Sequence, residues 1–564
     1  MLVYVESTPF TFSAGVHVSA SRPLSDTKTQ PSIFRSLTGL LMVLGVTMLS
    51  GTIVSVALPQ IVGSLNGTQS QYTWVVTATL LVSTASTPVW GKLADLFDKK
   101  RLLQLSIVFF IVASLLCGMA QTTGQLIAFR AVQGLGMGAS QVLVQVIIGT
   151  LVSPKERGKF NGYIGAIMAV ATVGGPLIGG AITDISWLGW RWCFLIGVPF
   201  MVVALIVLSR TLKLDDLRRP DTKVDYVGAT LIAAGVSLLL LWVTFVGGDF
   251  AWISWQSAAM VGGSVILLGL AVWVESRVSQ PVIPLHLVVR RETAIAILAS
   301  VAVGMAMFGG AVFLGQYFQL SRGYSPTEAG LLTIPLMLGV LVSSTVSGRM
   351  VSRSGRVKSY VMTGLVTLSV GFFLLSTIDA DSPLPYVGLG MLLVGIGVGM
   401  SMQNLVLVVQ NSVPLKELGA ASGAITFFRS LGGTIGVSVL GAVLANRVST
   451  KVTEGLASAG VDTSAAAASG SGTLNLDAMP PFIRDIVADA YGSATGDIFL
   501  VATGIAVVGL LVGIFLPRVR LRDSLDLPEA KTEAGASAPA RETAVAEAPV
   551  TAGGDAAPDR PASD

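Results

Sequence analysis

The amino-acid sequence predicts an all-α protein that crosses a lipid bilayer many times. Of its 564 residues, 52% are hydrophobic and only 12% are charged, whereas roughly a quarter of an ordinary soluble chain is charged. Apolar runs long enough to span a membrane as helices recur from Leu37 to Leu516. The charged residues are too few to cover a large soluble core, which is therefore excluded.

The apolar runs divide into about fourteen predicted transmembrane helices, grouped as six, two and six. A basic linker at 210–223 separates the first six from the additional pair. The predicted limits are 37–61, 72–91, 101–120, 125–152, 160–182, 192–209, 225–246, 256–274, 293–320, 331–349, 359–377, 385–411, 419–445 and 497–517.

Charge asymmetry predicts the side of the membrane on which each loop lies. Lys and Arg gather in alternate loops, and the short loops between them contain only Arg191 and Arg322. Cytoplasmic loops carry an excess of these cations, so the basic loops and both termini are predicted to be cytoplasmic. The basic loops contain Lys92, Lys99, Lys100 and Arg101; Lys155, Arg157 and Lys159; Arg210, Lys213, Arg218, Arg219 and Lys223; Arg277, Arg290 and Arg291; Arg349, Arg353, Arg356 and Lys358; and Arg518, Arg520 and Arg522.

This topology divides the chain into five predicted parts. They are a cytoplasmic N-terminal segment (1–36), a first six-helix bundle (37–209), a linker with two extra helices (210–292), a second six-helix bundle (293–517) and a cytoplasmic tail (518–564). The tail is rich in Pro, Ala and Glu and is predicted to be disordered. The second bundle includes an outward loop at 447–496 that is rich in Ala, Ser and Gly, with a short amphipathic helix at 480–492.

The residues that usually build enzyme or metal sites are scarce. Cys117 and Cys193 lie in apolar segments and form no CxxC pair, and His17 and His286 lie outside the predicted spans. No nucleophile elbow, P-loop or HExxH motif occurs. No enzyme activity, cofactor, metal or nucleic-acid partner is therefore expected, and the formal charge of +4 follows from membrane topology.

A loop motif is repeated in the two predicted bundles. GKLADLFDKKR at 91–101 has a glycine that allows two helix ends to approach and an acid that can pair with a base or cap a helix. A looser copy, GRMVSRSGRVK at 348–358, has Ser352 in the position of the acid. A motif repeated in two halves is typical of transporters built from internal repeats. The motif residues of the first copy are Gly91, Asp95, Lys99, Lys100 and Arg101.

The fifth span contains GGPLIGG at 174–180. Small residues four apart on one helix face allow another helix to approach closely, and a proline inside a helix removes a backbone donor and permits a bend. Packing alone, without a role in transport, explains this motif equally well. Its residues are Gly174, Gly175, Pro176, Gly179 and Gly180.

Together these motifs resemble the major facilitator superfamily, and within it the fourteen-span drug:proton antiporter branch of multidrug exporters. The resemblance covers about residues 35–519. It also rests on LSGTIVSVALP (49–59), LIAFRAVQGLGMG (126–138), WRWCFLIGVP (190–199), FLGQYFQLSRGYSPTEAGLLTIP (313–335) and QNLVLVVQNSVPLKELGAASGAITFFRSLGGTIGVSVLGAVL (403–444). It implies a monomeric exporter of small amphipathic drugs or antibiotics in the plasma membrane, which exchanges substrate for protons by alternating access. In the family, the fifth-span motif is thought to favour export over import.

Polar residues inside the predicted spans mark a candidate cavity. An arginine at mid-helix costs about 3 kcal/mol on insertion scales, so it should face a polar interior. Arg130 shares one helix face with three glutamines and Met137 at spacings of three and four. Amides cluster again in the ninth and twelfth spans, and the alternative is that they are glue between helices. The candidate cavity residues are Gln133, Met137, Gln141, Gln316, Tyr317, Gln319, Gln403, Asn404, Gln410 and Arg429.

The chain departs from the family where a proton-coupling acid is expected. The first-span signature commonly carries an aspartate two residues before the threonine that is Thr52 here, and this chain has Ser50. No Asp or Glu falls near the middle of any predicted span. Seven carboxylates lie at the membrane edges, namely Asp95, Asp98, Asp184, Asp225, Glu275, Glu328 and Asp497. The candidate coupling residues are Arg130, Ser50 and three of these acids, Asp95 on the inner side and Asp184 and Glu328 on the outer side.

Two transport hypotheses remain open at this stage. The first is proton-coupled drug export through an edge carboxylate, with Arg130 responding electrostatically. The second is transport of an anionic or lipid-like solute with altered coupling. A non-transporting membrane sensor or scaffold is a weaker alternative, and it predicts no substrate-dependent flux.

Replacing Ser50 with aspartate separates the two transport hypotheses. If the position belongs to the coupling pathway, Ser50→Asp should change proton flux or the substrate profile, because a buried carboxylate binds a proton in competition with substrate. The measurement is proton and substrate flux in proteoliposomes. Unaltered proton flux, drug profile and lipid movement would show that this position has no such role.

Overall fold

The computed structural model shows an all-α fold over the residues it describes, which are 30–65, 69–185, 188–214, 225–247, 250–278, 280–458 and 481–522. One helical turn of π type follows α11 and one of 3-10 type precedes α16. The helices are α1 Gln30–Ser64, α2 Gln69–Leu96, α3 Lys99–Met119, α4 Thr123–Leu151, α5 Pro154–Asp184, α6 Trp192–Leu195, α7 Gly197–Thr211, α8 Tyr226–Phe245, α9 Trp255–Glu275, α10 Leu285–Val288, α11 Arg291–Gln316, α12 Pro326–Leu332, α13 Ile334–Ser354, α14 Lys358–Leu375, α15 Leu384–Ser412, α16 Leu418–Ser458 and α17 Pro481–Ile514.

The predicted membrane-spanning character is confirmed by these helices. Within the described residues, 12 helical segments are long and apolar enough to cross a membrane. The helices α2 and α5, which are not among those 12 segments, have 28 and 31 residues and are also long enough to span. A helix satisfies its own backbone hydrogen bonds, which is why lipid tolerates it. The count of fourteen spans stays a prediction.

The long helices form two bundles around separate apolar cores. In the first bundle, α2 and α3 pack on α4, while α5 and α7 pack on α1. In the second, α13 and α14 pack on α15, α11 packs on α16, and α17 lies against α11, α14 and α16. We call the ends of the bundles that carry Asp98, Lys155, Gly355 and Arg520 the basic end, which is the end predicted to be cytoplasmic.

The extra pair α8 and α9 lies beside both bundles. The two helices pack on each other, and α8 also contacts α2 and α16. Ile232, Val236 and Leu240 of α8 join Ala85 of the first bundle and Phe427 of the second in one apolar cluster. The insertion therefore covers one side of the seam between the bundles.

The segment predicted as an outward loop is more helical than expected. The helix α16 continues to Ser458 and α17 begins at Pro481, so 447–458 and 481–496 are not loop. Asp497 of α17 pairs with Arg447 and Lys451 of α16 at 3.8 and 3.4 Å, and these contacts join the two extensions. The predictions for 1–29, 459–480 and the tail beyond residue 522 lie outside the described residues.

Glycines bring helix backbones into direct contact within each bundle. A methyl group at Gly134 or Gly138 would stand 2.6 or 2.5 Å from the carbonyl oxygens of Thr79 and Ser83. In the second bundle, Gly432 fits in the same way against Val301. These glycines allow the helices to pack closely, because a larger side chain would clash with the neighbouring backbone.

We expect Gly138→Ala to destabilise the protein by about 1–3 kcal/mol, because overpacking forces α2 and α4 apart. The measurement is thermal unfolding of the purified protein in detergent. Gly504→Ala on α17 is the matched control, since nothing lies within 4 Å of its added methyl group and alanine favours the helix. Equal unfolding temperatures for wild type and Gly138→Ala would contradict the packing role.

Candidate transport site and gate

Arg130 lies inside the first bundle and is held by neutral groups. Its side chain is 3% exposed. Nη1 donates to Gln133 Oε1 at 2.7 Å and Nε donates to the Val75 carbonyl oxygen at 3.4 Å. Gln133 in turn donates to Ser114 Oγ at 2.8 Å. Arg130 and Gln133, which were predicted to share one helix face, are therefore hydrogen-bonded to each other, and both side chains are buried.

Arg429 and Ser50 are among the buried polar side chains of the described residues that have an atom without a hydrogen-bond partner. Arg429, on α16, is 2% exposed and its Nη1 has no partner in the described part of the chain. Ser50, on α1, is 5% exposed and its Oγ likewise has none. A buried donor without a partner costs free energy, so Arg429 retains an unused capacity to bind an acceptor.

The two bundles meet backbone to backbone at the basic end. The Asp95 carboxylate accepts hydrogen bonds from the backbone N–H groups of Gly419 and Ala420, both at 2.7 Å. Beside it, a methyl group at Gly91 would stand 2.5 Å from the Gly419 carbonyl oxygen. Hydrogen bonds that involve a charged group contribute about 1.5–3 kcal/mol each. Asp95 therefore acts as a latch between α2 and α16.

A second inter-bundle contact joins α5 to α13. A methyl group at Gly158 would stand 2.8 Å from the Gly348 carbonyl oxygen. Deeper along α5, Asn161 Nδ2 donates to the Gln403 carbonyl oxygen at 3.5 Å, and Gln403 Nε2 contacts Met168 Sδ at 3.8 Å. Because the hydrogen bonds between the bundles gather in the inner half of the helices, the structure is closed at the basic end.

The fifth-span motif forms the contact between α5 and α1. Gly175 packs directly on Thr52 Oγ1, and a methyl group at Gly179 would stand 2.7 Å from the Ile53 carbonyl oxygen. Thr52 Oγ1 also donates to the Ala171 carbonyl oxygen at 2.9 Å. A methyl group added at Gly174 would have more room, with Leu49 at 3.7 Å, and one added at Gly180 would meet nothing within 4 Å. The side chain of Pro176 lies outside the described residues.

The residues predicted to lie toward the outer side differ in their exposure and in their hydrogen bonds. Gln316 and Gln319 are exposed near the end of α11. Lipid offers an amide no partner, so their exposure favours an aqueous opening at the end opposite the basic end. Tyr317, by contrast, is buried and donates from its hydroxyl to the Asp379 carbonyl oxygen at 2.8 Å. Glu328 is exposed, and its carboxylate accepts a hydrogen bond from the backbone N–H of Ser325, the residue that caps the N-terminus of α12. The Asp184 side chain lies outside the described residues.

The remaining predicted residues serve local contacts. Gln410 Nε2 donates to Ser422 Oγ at 3.0 Å, and Asn404 Nδ2 donates to the Met400 carbonyl oxygen at 2.7 Å. Met137 and Gln141 are half-buried on α4. In the loop motif, Lys99 is buried and Lys100 Nζ donates to the Ser209 carbonyl oxygen at 2.8 Å. Asp98 caps α3 and pairs with Arg101 at 3.6 Å.

A pocket of about 570 Å³ opens beside the Asp95 latch. Its walls include Lys92, Glu275 and Lys416, so the first bundle, the extra pair and the second bundle all contribute. Lys92 Nζ donates to Gln280 Oε1 at 3.2 Å. The Glu275 carboxylate accepts from the N–H groups of the segment after α9, with Val282 at 2.9 Å.

Sequence reasoning did not identify Glu275 or Gln280 as contacts. The sequence feature that could have pointed to this contact is Glu275 itself, an acid that ends an apolar run and precedes two prolines. Across the described ranges, no group of three or more His, Cys, Asp or Glu side chains could hold a metal ion.

Comparison with known proteins gives consistent matches. The sequence profile of the Major Facilitator Superfamily matches residues 40–437. The multidrug transporter protein MdtP of Bacillus subtilis is 36% identical over 420 residues, which cover 74% of this chain and 77% of that protein. An uncharacterized MFS-type transporter of Mycobacterium tuberculosis is 35% identical over 475 residues, with 84% and 68% covered. The efflux pump dotC of Dothistroma septosporum is 32% identical over 508 residues, with 88% and 86% covered.

Solved structures share the fold at low sequence identity. The proton:xylose symporter XylE has a TM-score of 0.56 at 14% identity and covers 88% of this chain and 99% of its own. The human organic anion transporter MFSD10 has a TM-score of 0.55 at 14% identity, with 84% and 99% covered. At this identity the likeness concerns the fold alone.

We expect Asp95→Asn to open the seam at the basic end more often, because the neutral amide loses the charge that strengthens two hydrogen bonds. The population of the open form should rise about tenfold, given the free energy of such bonds. The measurement is the distance distribution between spin labels at Phe97→Cys and Lys416→Cys, two exposed positions on opposite bundles.

Asp98→Asn is the control for this experiment, since Asp98 caps α3 within the first bundle. Its distance distribution should match that of the wild type. A wild-type distribution in Asp95→Asn would mean that the carboxylate does not hold the bundles together.

Proposed function

Because the chain belongs to the major facilitator superfamily, whose members are transporters and not enzymes, we propose that it exports small amphipathic compounds in exchange for protons. The observation that carries this proposal is the arrangement of the two bundles. They are closed at the basic end by the Asp95 latch, while exposed amides lie toward the opposite end of α11. Alternating access between such states is how this architecture moves a solute.

The names of the relatives support export of drug-like molecules. One relative is named a multidrug transporter and another an efflux pump. Half-buried Met137 and partly exposed Phe308 provide soft and aromatic surface, which binds apolar bodies without demanding one shape. The expected setting is the plasma membrane, with the chain acting as a monomer.

Asp95 is the proposed inner site of proton release. Its carboxylate must be ionised to hold Gly419 and Ala420 with full strength. A proton on Asp95 would weaken the latch and open the basic end, where substrate enters from the cytoplasm. Loss of that proton to the cytoplasm would restore the latch and return the transporter to the outward-facing state. This cycle exchanges one cytoplasmic solute for an incoming proton.

A second candidate function is transport of an anionic or electron-rich solute. It is favoured by Arg429, whose Nη1 lacks a hydrogen-bond partner within the described residues, and by Ser50, which stands where relatives carry an acid. A buried guanidinium without a carboxylate partner attracts an anion. A lipid-like anion would combine this charge with the apolar surface described above.

The two functions are separated by flux assays in proteoliposomes with an imposed pH gradient. Export of lipophilic cations and neutral antibiotics driven by the gradient supports the first function. Accumulation of anionic dyes, lost in Arg429→Gln, supports the second. Arg447→Gln is the matched control, because Arg447 is an exposed arginine on the same helix and pairs with Asp497. Failure of every ligand to move under either gradient direction would count against both.

A further inference from the structure

The segment after α17 forms a strap across the basic end. We define the strap as residues 517–522. The Leu521 backbone N–H donates to the Gly355 carbonyl oxygen at 3.2 Å. Asn411 contacts the strap twice, with its Nδ2 donating to the Arg520 carbonyl oxygen at 3.3 Å and its Oδ1 accepting from the Arg522 N–H at 3.1 Å. These bonds fix the strap to the loop between α13 and α14 and to the end of α15.

The strap also reaches the first bundle. The Lys155 backbone N–H, in the first turn of α5, donates to the Arg522 carbonyl oxygen at 3.2 Å. Leu521 is buried and belongs to the apolar core of the second bundle. The strap therefore touches both halves of the protein with its backbone, and its side chains are held in place by main-chain bonds.

A pocket of about 320 Å³ lies between the strap and the two bundles. Its charged lining residues are all cations, and no Asp or Glu is among them. Within the part of the chain that the structure describes, Arg353, Arg356 and Arg520 make no ion pair. Glu156, next to Lys155 in the chain, is exposed and does not line the pocket. The lining residues are Lys155, Arg353, Ser354, Gly355, Arg356, Arg520 and Leu521.

Backbone pairing forces two of these cations together. Arg356 and Arg520 face each other across an isolated antiparallel bridge. Side chains directly opposite in such a pair lie close to each other, and like charges there are destabilising. The bridge is nevertheless formed, together with the Leu521 bond beside it. An anion placed between the two guanidinium groups would turn this repulsion into attraction.

We propose that this pocket binds a phosphate group, which bridges the first bundle through Lys155 and the second through Arg353, Arg356 and Arg520. Guanidinium groups match phosphate oxygens with paired hydrogen bonds. Basic pockets between helices on the cytoplasmic side of a membrane suit phospholipid head groups. The phosphate can come from an anionic phospholipid of the inner leaflet or from the cytoplasm as a free ion. The site is distinct from the transport pathway, and its occupant holds the basic end closed.

Native mass spectrometry of the full-length protein in detergent tests the site. The probes are dioleoylphosphatidylglycerol, dioleoylphosphatidylcholine and inorganic phosphate. We expect retention of one phosphatidylglycerol, and about tenfold or greater loss of affinity in the triple variant Arg353→Gln, Arg356→Gln, Arg520→Gln, since each cation near an anionic lipid surface contributes appreciably. Displacement of the lipid by inorganic phosphate shows that the free ion competes for the pocket, and resistance to displacement assigns the site to the lipid.

Arg518→Gln is the matched control, because Arg518 is an exposed strap residue that does not line the pocket. It should bind phosphatidylglycerol as the wild type does. Equal binding by the wild type and the triple variant would overturn the proposal. An equal loss in Arg518→Gln would also overturn it, since the basic end would then attract the lipid only through its overall charge.

The bridging role has its own measurement. Spin labels at Glu156→Cys and Ser359→Cys, exposed positions on α5 and α14, report the separation of the two halves. Cys117 and Cys193 are buried and free, so they add little background labelling. Phosphatidylglycerol should shift the distribution to shorter distances in the wild type but not in the triple variant. A distance distribution that does not change when the wild type binds lipid would overturn the bridging role.

Discussion

The closed seam at the basic end depends on helix backbones that touch one another. Lipid provides no hydrophobic drive between helices, so they associate by close packing and by polar contacts. Two glycine pairs allow the helix backbones to pack closely at the seam. Gly91 lies against Gly419, and Gly158 lies against Gly348. With a side chain at Gly91 or Gly419, α16 would stand too far from α2 for Asp95 to reach the backbone N–H groups of the first turn of α16. The latch, the cationic pocket and the strap all require this approach.

Much of the architecture could be predicted from sequence because it follows from local pattern. Apolar runs and alternating basic loops predicted the helical bundles, and the spacing of Gly175 and Gly179 predicted a packed helix face. The extension of α16 to Ser458 was missed because its outer part is polar and resembles loop composition. The partner of Asp95 could not be predicted, since Gly419 lies 324 positions away. The strap was missed for the same reason, since Asn411, which contacts Arg520, lies 109 positions away from it in the chain.

The two buried arginines of the predicted spans, Arg130 and Arg429, differ in their hydrogen-bond partners. Arg130 is held by an amide and a backbone carbonyl oxygen, so these neutral groups stabilise it without an acid. Arg429 has no comparable arrangement for its Nη1. The candidate cavity defined from polar span residues therefore separates into residues that hold a bundle together, such as Gln133 and Asn404, and residues at the seam, such as Gln403.

The length of α16 has a mechanical consequence. Its 41 residues correspond to about 60 Å of helix, roughly twice the hydrocarbon thickness of a bilayer. The outer part is tied to α17 by the pairing of Asp497 with Arg447 and Lys451, so the two helices form a stiff arm rather than two loose ends. Because this arm is continuous with the second bundle, a small rotation of that bundle within the membrane becomes a larger displacement at its tip. At the end opposite the basic end, the position of this arm would therefore follow the orientation of the second bundle.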